Sequence, residues 1–430
     1  MIQNERATLA DSLWSATAND SPERPALTGV AEADTVVIGG GFTGLSAALH
    51  LVQAGQSVIL LEAETPGWGA SGRNGGQVNP GLKANPQDIE ATFGPEMGKR
   101  MVALSGGAGK LVFDLIRRHS IECDANECGW VRSATNSKAL AELHEIARQW
   151  RVRGHDVDEV SGIQMSNLLG SAAYEGGIID RRGGNIHPLN FALGLASAAE
   201  KAGVRIFGDS RVNEVKSTQD NVTVVTAQGQ VTAKRALICT NAYTGDLMPP
   251  LGQTVVPVTS VQVATAPLSE NVAKSILPLG HSPTDTRRLI FYFRKDAAGR
   301  FIMGGRGAMG DTGIRKRQAG LRDAALQLYH QIGEVEWTHA WGGNVAMTSD
   351  HAPGLHQIAP NIVAALGYNG RGVGMATAMG TVLAHWAQGV PAAALDFPMT
   401  PAKPIPFYRF RNIGVGATIA TFRIMDRFGL

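Results

Sequence analysis

Gly39, Gly41 and Gly44 fall between a β-branched run, Val36 to Ile38, and a helical pattern that puts Leu45, Leu49 and Val52 on one face. A second apolar run, Ser57 to Leu61, then delivers Glu62, followed by Ala63. Strand, glycine turn, helix, strand and acidic end in this order are the βαβ pattern that binds a dinucleotide. Gly39 permits the tight turn, Gly41 lets backbone approach a pyrophosphate, and Gly44 lets the helix lie close on the sheet. Around Gly41, Phe42 and Thr43 the helix start offers unpaired N–H groups and a positive dipole end to phosphate oxygens. Glu62 stands about twenty residues on, where a carboxylate accepts from ribose hydroxyls and disfavours a 2′-phosphate.

The stretch Pro66 to Pro80 is glycine-rich, polar and too irregular for a helix or a strand. Such backbone can pass close to a flat ring system. Gly69, Ala70, Ser71, Gly72, Arg73, Asn74, Gly75, Gly76 and Gln77 are its candidate contacts, with Ser71, Arg73 and Asn74 as donors to a polar ring edge. A flexible surface loop would have the same composition.

GGGFTGLSAALHLVQAGQSVILLEA followed by GWGASGRNGGQ resembles the FAD-dependent amine and amino-acid oxidoreductases, which include D-amino-acid oxidase, glycine oxidase and sarcosine oxidase. The similarity is greatest to the γ-glutamylputrescine oxidoreductase branch, which also holds bacterial oxidases of cyclic imino acids. It runs over nearly the whole chain. Gly183 to Asn190 resembles the family's second flavin-domain segment, and Ala236 to Tyr243, with Thr240 and Asn241, the strand that ends near the cofactor. Trp341-Gly-Gly, Thr348 to Pro353 and then Gly367-Tyr-Asn-Gly-Arg-Gly-Val373 resemble the closing flavin-binding motif, which adds Gly367, Asn369, Gly370, Arg371, Gly372 and Val373 to the cofactor contacts. The resemblance implies an α/β chain in which a Rossmann-like FAD-binding domain is interleaved with an antiparallel-sheet substrate domain. It also implies oxidation of a C–N bond to an imine by hydride transfer to flavin N5.

In such an enzyme the chemistry is the cofactor's, and the protein positions the donor and tunes charge. The pocket needs a cation for a substrate carboxylate and donors at the flavin's carbonyl end. Arg371 is the first candidate for either task. His187, in a Gly-Gly-Asn-Ile-His-Pro turn, faces the flavin or caps a turn. Tyr292 and Arg294 alternate with Phe293 on an expected strand, so they share a face. That face lines the pocket or is ordinary strand decoration. Trp341 walls the pocket or packs in the core. Two departures from relatives matter. Monomeric sarcosine oxidases attach FAD to a cysteine on a strand resembling Leu289 to Arg294, and this one has none, so non-covalent FAD is expected. Their lysine three residues beyond the site resembling Arg371 is here Gly374, so another cation must meet a substrate carboxylate.

The elements that must position these residues read as interleaved. Residues 30–85, 183–250 and 340–395 are assigned to the FAD-binding domain, 86–182 and 251–339 to the substrate domain, and 396–430 to a C-terminal tail. Leu140 to Trp150 is helical in pattern. Val255 to Ala264, Arg288 to Arg294 and Arg300 to Met303 read as antiparallel strands, with a hairpin turn at 296–299, and Gly374 to Ala387 as the last flavin-domain helix. The tail is proline-rich from Pro401 to Pro406, then basic and apolar. It would suit a membrane-docking helix, but its glycines and β-branched residues weaken a long helix and favour packing on the protein.

Composition agrees with an enzyme of two or three domains: 430 residues, 52 glycines and a formal charge of +2. No basic field points to nucleic acid. No secretory pattern opens the sequence, and no apolar run reaches spanning length. Cys123, Cys128 and Cys239 show no metal-like pairing, so no metal is expected, and they suit a reducing cytoplasm. The expected partners are a small amine or amino acid, such as L-pipecolate or a γ-glutamylated diamine, with oxygen or a quinone as electron acceptor. An FAD-dependent hydroxy-acid dehydrogenase and a flavin-binding subunit of a larger complex are the alternatives.

Overall fold

The computed structural model describes residues 8–308 and 310–428. The strand Gly29–Ile38 ends in four buried residues and pairs in parallel with both Val58–Leu61 and Gly229–Ile238. A run apolar on both faces is what a central parallel strand requires. These strands lie in a nine-stranded sheet ordered Met399–Thr400, Gly354–Ala359, Ile362–Leu366, Gly229–Ile238, Gly29–Ile38, Val58–Leu61, Arg205–Phe207, with Val222–Val225 and Glu214–Ser217 branching from Gly229–Ile238.

Helices Phe42–Gln53, Pro188–Lys201 and Gly372–Ala387 share one core with Pro95–His119. Gly372–Ala387 crosses Phe42–Gln53 so closely that a Cβ on Gly380 would meet the Ser46 Cβ at 2.6 Å. Ser46 donates to the Thr377 carbonyl there at 2.8 Å. The 25-residue helix Pro95–His119 lies in the stretch assigned to the substrate side, yet it packs on Gly372–Ala387.

The second sheet has eight strands, ordered Trp337–Met347, Val256–Pro267, Arg300–Ala308, Phe291–Lys295, Ser282–Asp285, Trp130–Ala134, Gly176–Asp180, Val157–Ser161. Its hairpin turns at Asp296–Gly299, where Gly299 adopts φ +77°. Trp337–Met347 stays antiparallel to Val256–Pro267 up to Met347. The chain therefore rejoins the first sheet at Gly354 rather than near 340.

Contrary to expectation, Arg411–Phe428 is an 18-residue helix. Tertiary contacts override its glycines and β-branched residues. Asp426 accepts from the Arg288 and Leu289 N–H groups at 2.8 and 2.9 Å, and Ile419 is buried beside Gly307.

Candidate active site

A cavity of about 1550 Å³ is lined from both sheets. It begins at the carboxyl ends of the parallel strands, at Ile38, Leu61 and Cys239, where open α/β sheets bind ligands. Gly39 turns at φ +107° with its open side 2.9 Å from the Cys239 carbonyl. Gly44 lies so close behind that a Cβ would fall 2.0 Å from the Gly39 oxygen. Gly41 starts the helix with no side-chain cap, and Ser71 Oγ accepts from the Phe42 N–H at 3.0 Å. Thr43 and Tyr368 hydroxyls meet at 2.7 Å. The Glu62 carboxylate accepts from Gly40 N–H at 2.5 Å and Glu64 N–H at 3.1 Å, while burial pushes its pKa up.

The ring loop folds on itself as the cavity wall. Asn74 donates to the Ala70 and Ser71 carbonyls and accepts from Gly76 N–H. Arg73 is turned inward, donating to the Trp68 carbonyl and stacking 4.6 Å from the Trp68 ring. Gly39, Gly41, Phe42, Thr43, Glu62, Ala63, Gly69, Ala70, Ser71, Arg73, Asn74, Gly75 and Gln77 all line the cavity, as do Thr240, Asn241, Asn369, Gly370, Arg371, Gly372 and Val373. Gly44, Gly72, Gly76 and Gly367 stand behind the wall in close contacts: Gly72 against the Gly67 carbonyl, Gly76 against the Ile186 carbonyl, Gly367 against Thr348.

Tyr292 lines the cavity, its hydroxyl 2.9 Å from Ser260 Oγ. Arg294 shares that face but lies past the cavity's end, under Gly76. It donates to the Ile186 carbonyl at 2.5 Å and sits 5.6 Å from the Trp14 ring centroid, so it holds backbone rather than facing the pocket. His187 is likewise outside. It caps Pro188–Lys201, Nδ1 accepting from Asn190 N–H at 3.1 Å, and its Nε2 is 3.0 Å from the Thr17 hydroxyl. Trp341 packs against Trp14 in the core and donates to the Arg73 carbonyl.

The far end of the cavity is cationic. Arg371 donates to the Pro80 carbonyl at 2.6 Å and sits 4.8 Å from the Trp130 ring centroid; Arg132 lies 5.6 Å from the same ring. Among the described residues Arg306 reaches the Asn369 carbonyl, at 3.4 Å, and the Met347 sulfur, both at long range. Lys83 also lines this end, 3.3 Å from His351 Nε2. Among the described residues none of these four cations is in an ion pair. Burial, then the charges of Arg306 and Arg371, lowers Lys83 to about 8; burial, then Arg132, lowers Arg371 to about 9. A guanidinium stays protonated at neutral pH regardless.

Arg132, Arg306, Lys83 and Gln262 escaped the sequence reading. Arg306 lies on the strand Arg300–Ala308, five residues longer than the run that announced it. Gln262 is fully buried on the cavity wall; its Nε2 donates to the Arg73 carbonyl, and its Oε1 has no partner. The three thiols are free, and burial pushes Cys123 up to about 12 and Cys128 up to about 11. No metal-holding cluster occurs among the described residues.

The sequence model of the DAO family, FAD dependent oxidoreductase, matches residues 34–386. The chain belongs to this family of FAD-dependent oxidoreductases. The DAO family signature thus spans both sheets. A gamma-glutamylputrescine oxidoreductase of Escherichia coli is 32% identical over 97% of this chain and 99% of its own. A probable oxidoreductase, OrdL, of Rhizobium meliloti is also 32% identical, covering 97% of each. Among solved structures, glycine oxidase from Geobacillus kaustophilus shares the fold with a TM-score of 0.71 at 20% identity, over 86% of this chain and 99% of that one.

FAD is the cofactor of this DAO-family enzyme, and the cavity fits it. Its volume exceeds the roughly 300–1,000 Å³ of an ordinary small-ligand pocket. The glycine turn and the helix N-terminus, whose N-cap Gly41 offers no side chain, suit the pyrophosphate, Glu62 the ribose, and the orphaned Gln262 oxygen a ring N–H.

Proposed function

We propose that the chain oxidises the C–N bond of an amine or amino acid that carries a carboxylate. A small secondary amino acid such as L-pipecolate and a γ-glutamylated diamine are the leading candidates. The observation that carries this reading is the set Arg132, Arg306 and Arg371, half-buried on the cavity wall without a carboxylate partner among the described residues. Several unpaired cations in one cavity repel one another, so an anion is what stabilises them. The relative named for γ-glutamylputrescine supports the choice of an amine donor.

Bound FAD supplies the hydride acceptor. Arg306 and Arg132 bind the substrate carboxylate and so fix which carbon faces the cofactor, since a guanidinium matches a carboxylate two bonds at a time. Gln262 holds a donor through Oε1, and Tyr292 closes one side with its ring under Gly75. Next to Phe42, whose N–H is taken by Ser71 Oγ, the remaining N–H groups of the helix start would hold phosphate oxygens. The cofactor is held non-covalently: the strand Phe291–Lys295 offers no thiol.

Anaerobic mixing of purified protein with L- and D-pipecolate, proline, sarcosine, γ-glutamylputrescine, an amine lacking a carboxylate, and lactate tests the reading. Loss of the oxidised-flavin absorbance with a carboxylated amine alone is expected. Bleaching by lactate alone would overturn it, and admitting air afterwards separates an oxygen-using enzyme from one that needs a quinone. Acid precipitation should release all the FAD.

A further inference from the structure

The C-terminal tail lies beyond the residues that carry the family signature, 34–386. Its helix, Arg411–Phe428, has two distinct faces. Val415, Ile419, Phe422 and Asp426 turn inward, with Ile419 buried and Asp426 fastened to the backbone of Arg288 and Leu289. The opposite face is exposed and apolar as well. Ile413, Ala417, Ala420 and Ile424 follow one another at three- and four-residue spacing, which is one stripe of a helix, and exposed Phe410 ends the turn just before it. Phe407, ahead of the helix start, is exposed as well. Exposure is 80% for Phe407, 47% for Phe410, 71% for Ile413 and 59% for Ile424. The other exposed large apolar residues, Val30, Val152, Ile163, Leu279 and Leu326, belong to separate elements and need no partner.

The charge beside the stripe selects what covers it. Lys403, Arg409 and Arg423 are exposed and Arg411 is half-buried, while the helix's own carboxylate, Asp426, is already bound to backbone. A second copy seated on the stripe would bring like charges together. An anionic lipid surface offers apolar depth and the opposite charge at once, which is the match an interfacial amphipathic helix makes. No helix among the described residues is long and apolar enough to cross a membrane, so contact in the plane of the interface is the mode left to this helix.

We propose that the exposed face of Arg411–Phe428, together with Phe407 and Phe410, docks the protein on an anionic membrane surface. The same segment forms part of the cavity's mouth, through Ile405, Phe407, Tyr408 and Arg409. Docking therefore sets the mouth against the lipid. The inference stands on the tail and not on the choice of substrate.

The test is flotation of the full-length holoenzyme with vesicles of phosphatidylcholine alone and of phosphatidylcholine mixed with phosphatidylglycerol. Binding to the anionic vesicles only, weakened by salt, is expected. Ile413→Asp should lower it at least about tenfold, because a charge replaces an exposed apolar side chain that docking would bury in the lipid. The double variant Lys403→Gln, Arg423→Gln, which leaves the apolar stripe intact, should lower it by about tenfold or more. Ile163→Asp, at a residue 79% exposed elsewhere, should change nothing. Flavin absorbance and turnover in solution should be retained by every variant. No binding by the parent protein, or equal loss with Ile163→Asp, overturns the proposal. So does light scattering that shows a dimer dissociated by Ile413→Asp, since a second copy then covers the stripe.

Discussion

At the scale of residues, the cavity is short of negative charge, and that decides what Arg306 does. Among the described residues its guanidinium makes two long contacts, to the Asn369 carbonyl and the Met347 sulfur, and no ion pair, and so is free to take a carboxylate. Arg306→Gln should raise KM for a carboxylated amine roughly ten- to hundredfold, the worth of a charge-assisted contact. Retained flavin and an unchanged rate with an amine lacking the carboxylate would separate that role from a structural one; equal loss on both substrates would refute it. Lys83 adds a pH dependence. Held down to about 8 by burial and by Arg306 and Arg371, it is charged at neutral pH and neutral above. The affinity for an unreactive carboxylate, followed by the flavin difference spectrum, should therefore fall as pH rises through about 8. Lys83→Met should start weaker and stay flat. Arg371 was legible because it stands in a glycine-framed motif, and Tyr292 because strand alternation is local. Arg132 and Arg306 were not, because a lone arginine on a strand looks the same whether it meets solvent or a cavity. Only the second sheet's pairing decides that.

The elements show the same division. The βαβ start and the 296–299 hairpin depend on turns and periodicities a few residues long, and both stand where the pattern put them. The C-terminal helix and the late return of the chain at Gly354 depend on partners far away in sequence, so local propensity misjudged the helix and the resemblance at Trp341 placed the return too early. His187 is a case where one residue serves an element. Thr17 donates to the Leu13 carbonyl, so its oxygen accepts from His187 Nε2–H, and Nδ1 is left to accept from Asn190. The cap therefore needs a neutral ring. Burial, then the charge of Arg294, lowers its pKa to about 4, below the ordinary 6.5. The depressed folded value means that stability is complete above about 6.5 and is lost as pH falls from there toward 4, by on the order of 3 kcal/mol. His187→Asn keeps an acceptor for the Asn190 N–H without a titrating ring. Its unfolding midpoint should fall less steeply than the parent's across that window; an identical slope would exclude His187 as the source.

At the scale of the molecule, two sheets of interleaved chain must be held so that their facing sides form one cavity. Trp14 is the residue best placed to hold them, and nothing local in its sequence announces it. It is 1% exposed, and its indole donates to the Asn74 carbonyl of the ring loop at 2.8 Å. Its ring meets His187 at 4.9 Å, Trp341 of the second sheet at 5.8 Å and the Arg294 guanidinium at 5.6 Å. One side chain thus touches the flavin-domain helix cap, the substrate sheet and the ring loop. Emptying that site by Trp14→Ala should cost about 3–5 kcal/mol, a large part of the 5–15 that holds a protein folded. More than stability should change. The loop from Gly69 to Gln77 loses its tether, so FAD should bind more weakly and wash out on gel filtration. Excess FAD should then restore part of the unfolding midpoint, because a ligand stabilises the state it binds. Val152→Ala, at a residue 67% exposed, should leave both quantities unchanged. If Trp14→Ala lowered the midpoint but kept full FAD affinity, the tryptophan would only fill space, and the ring loop would have to be held from the cavity side alone.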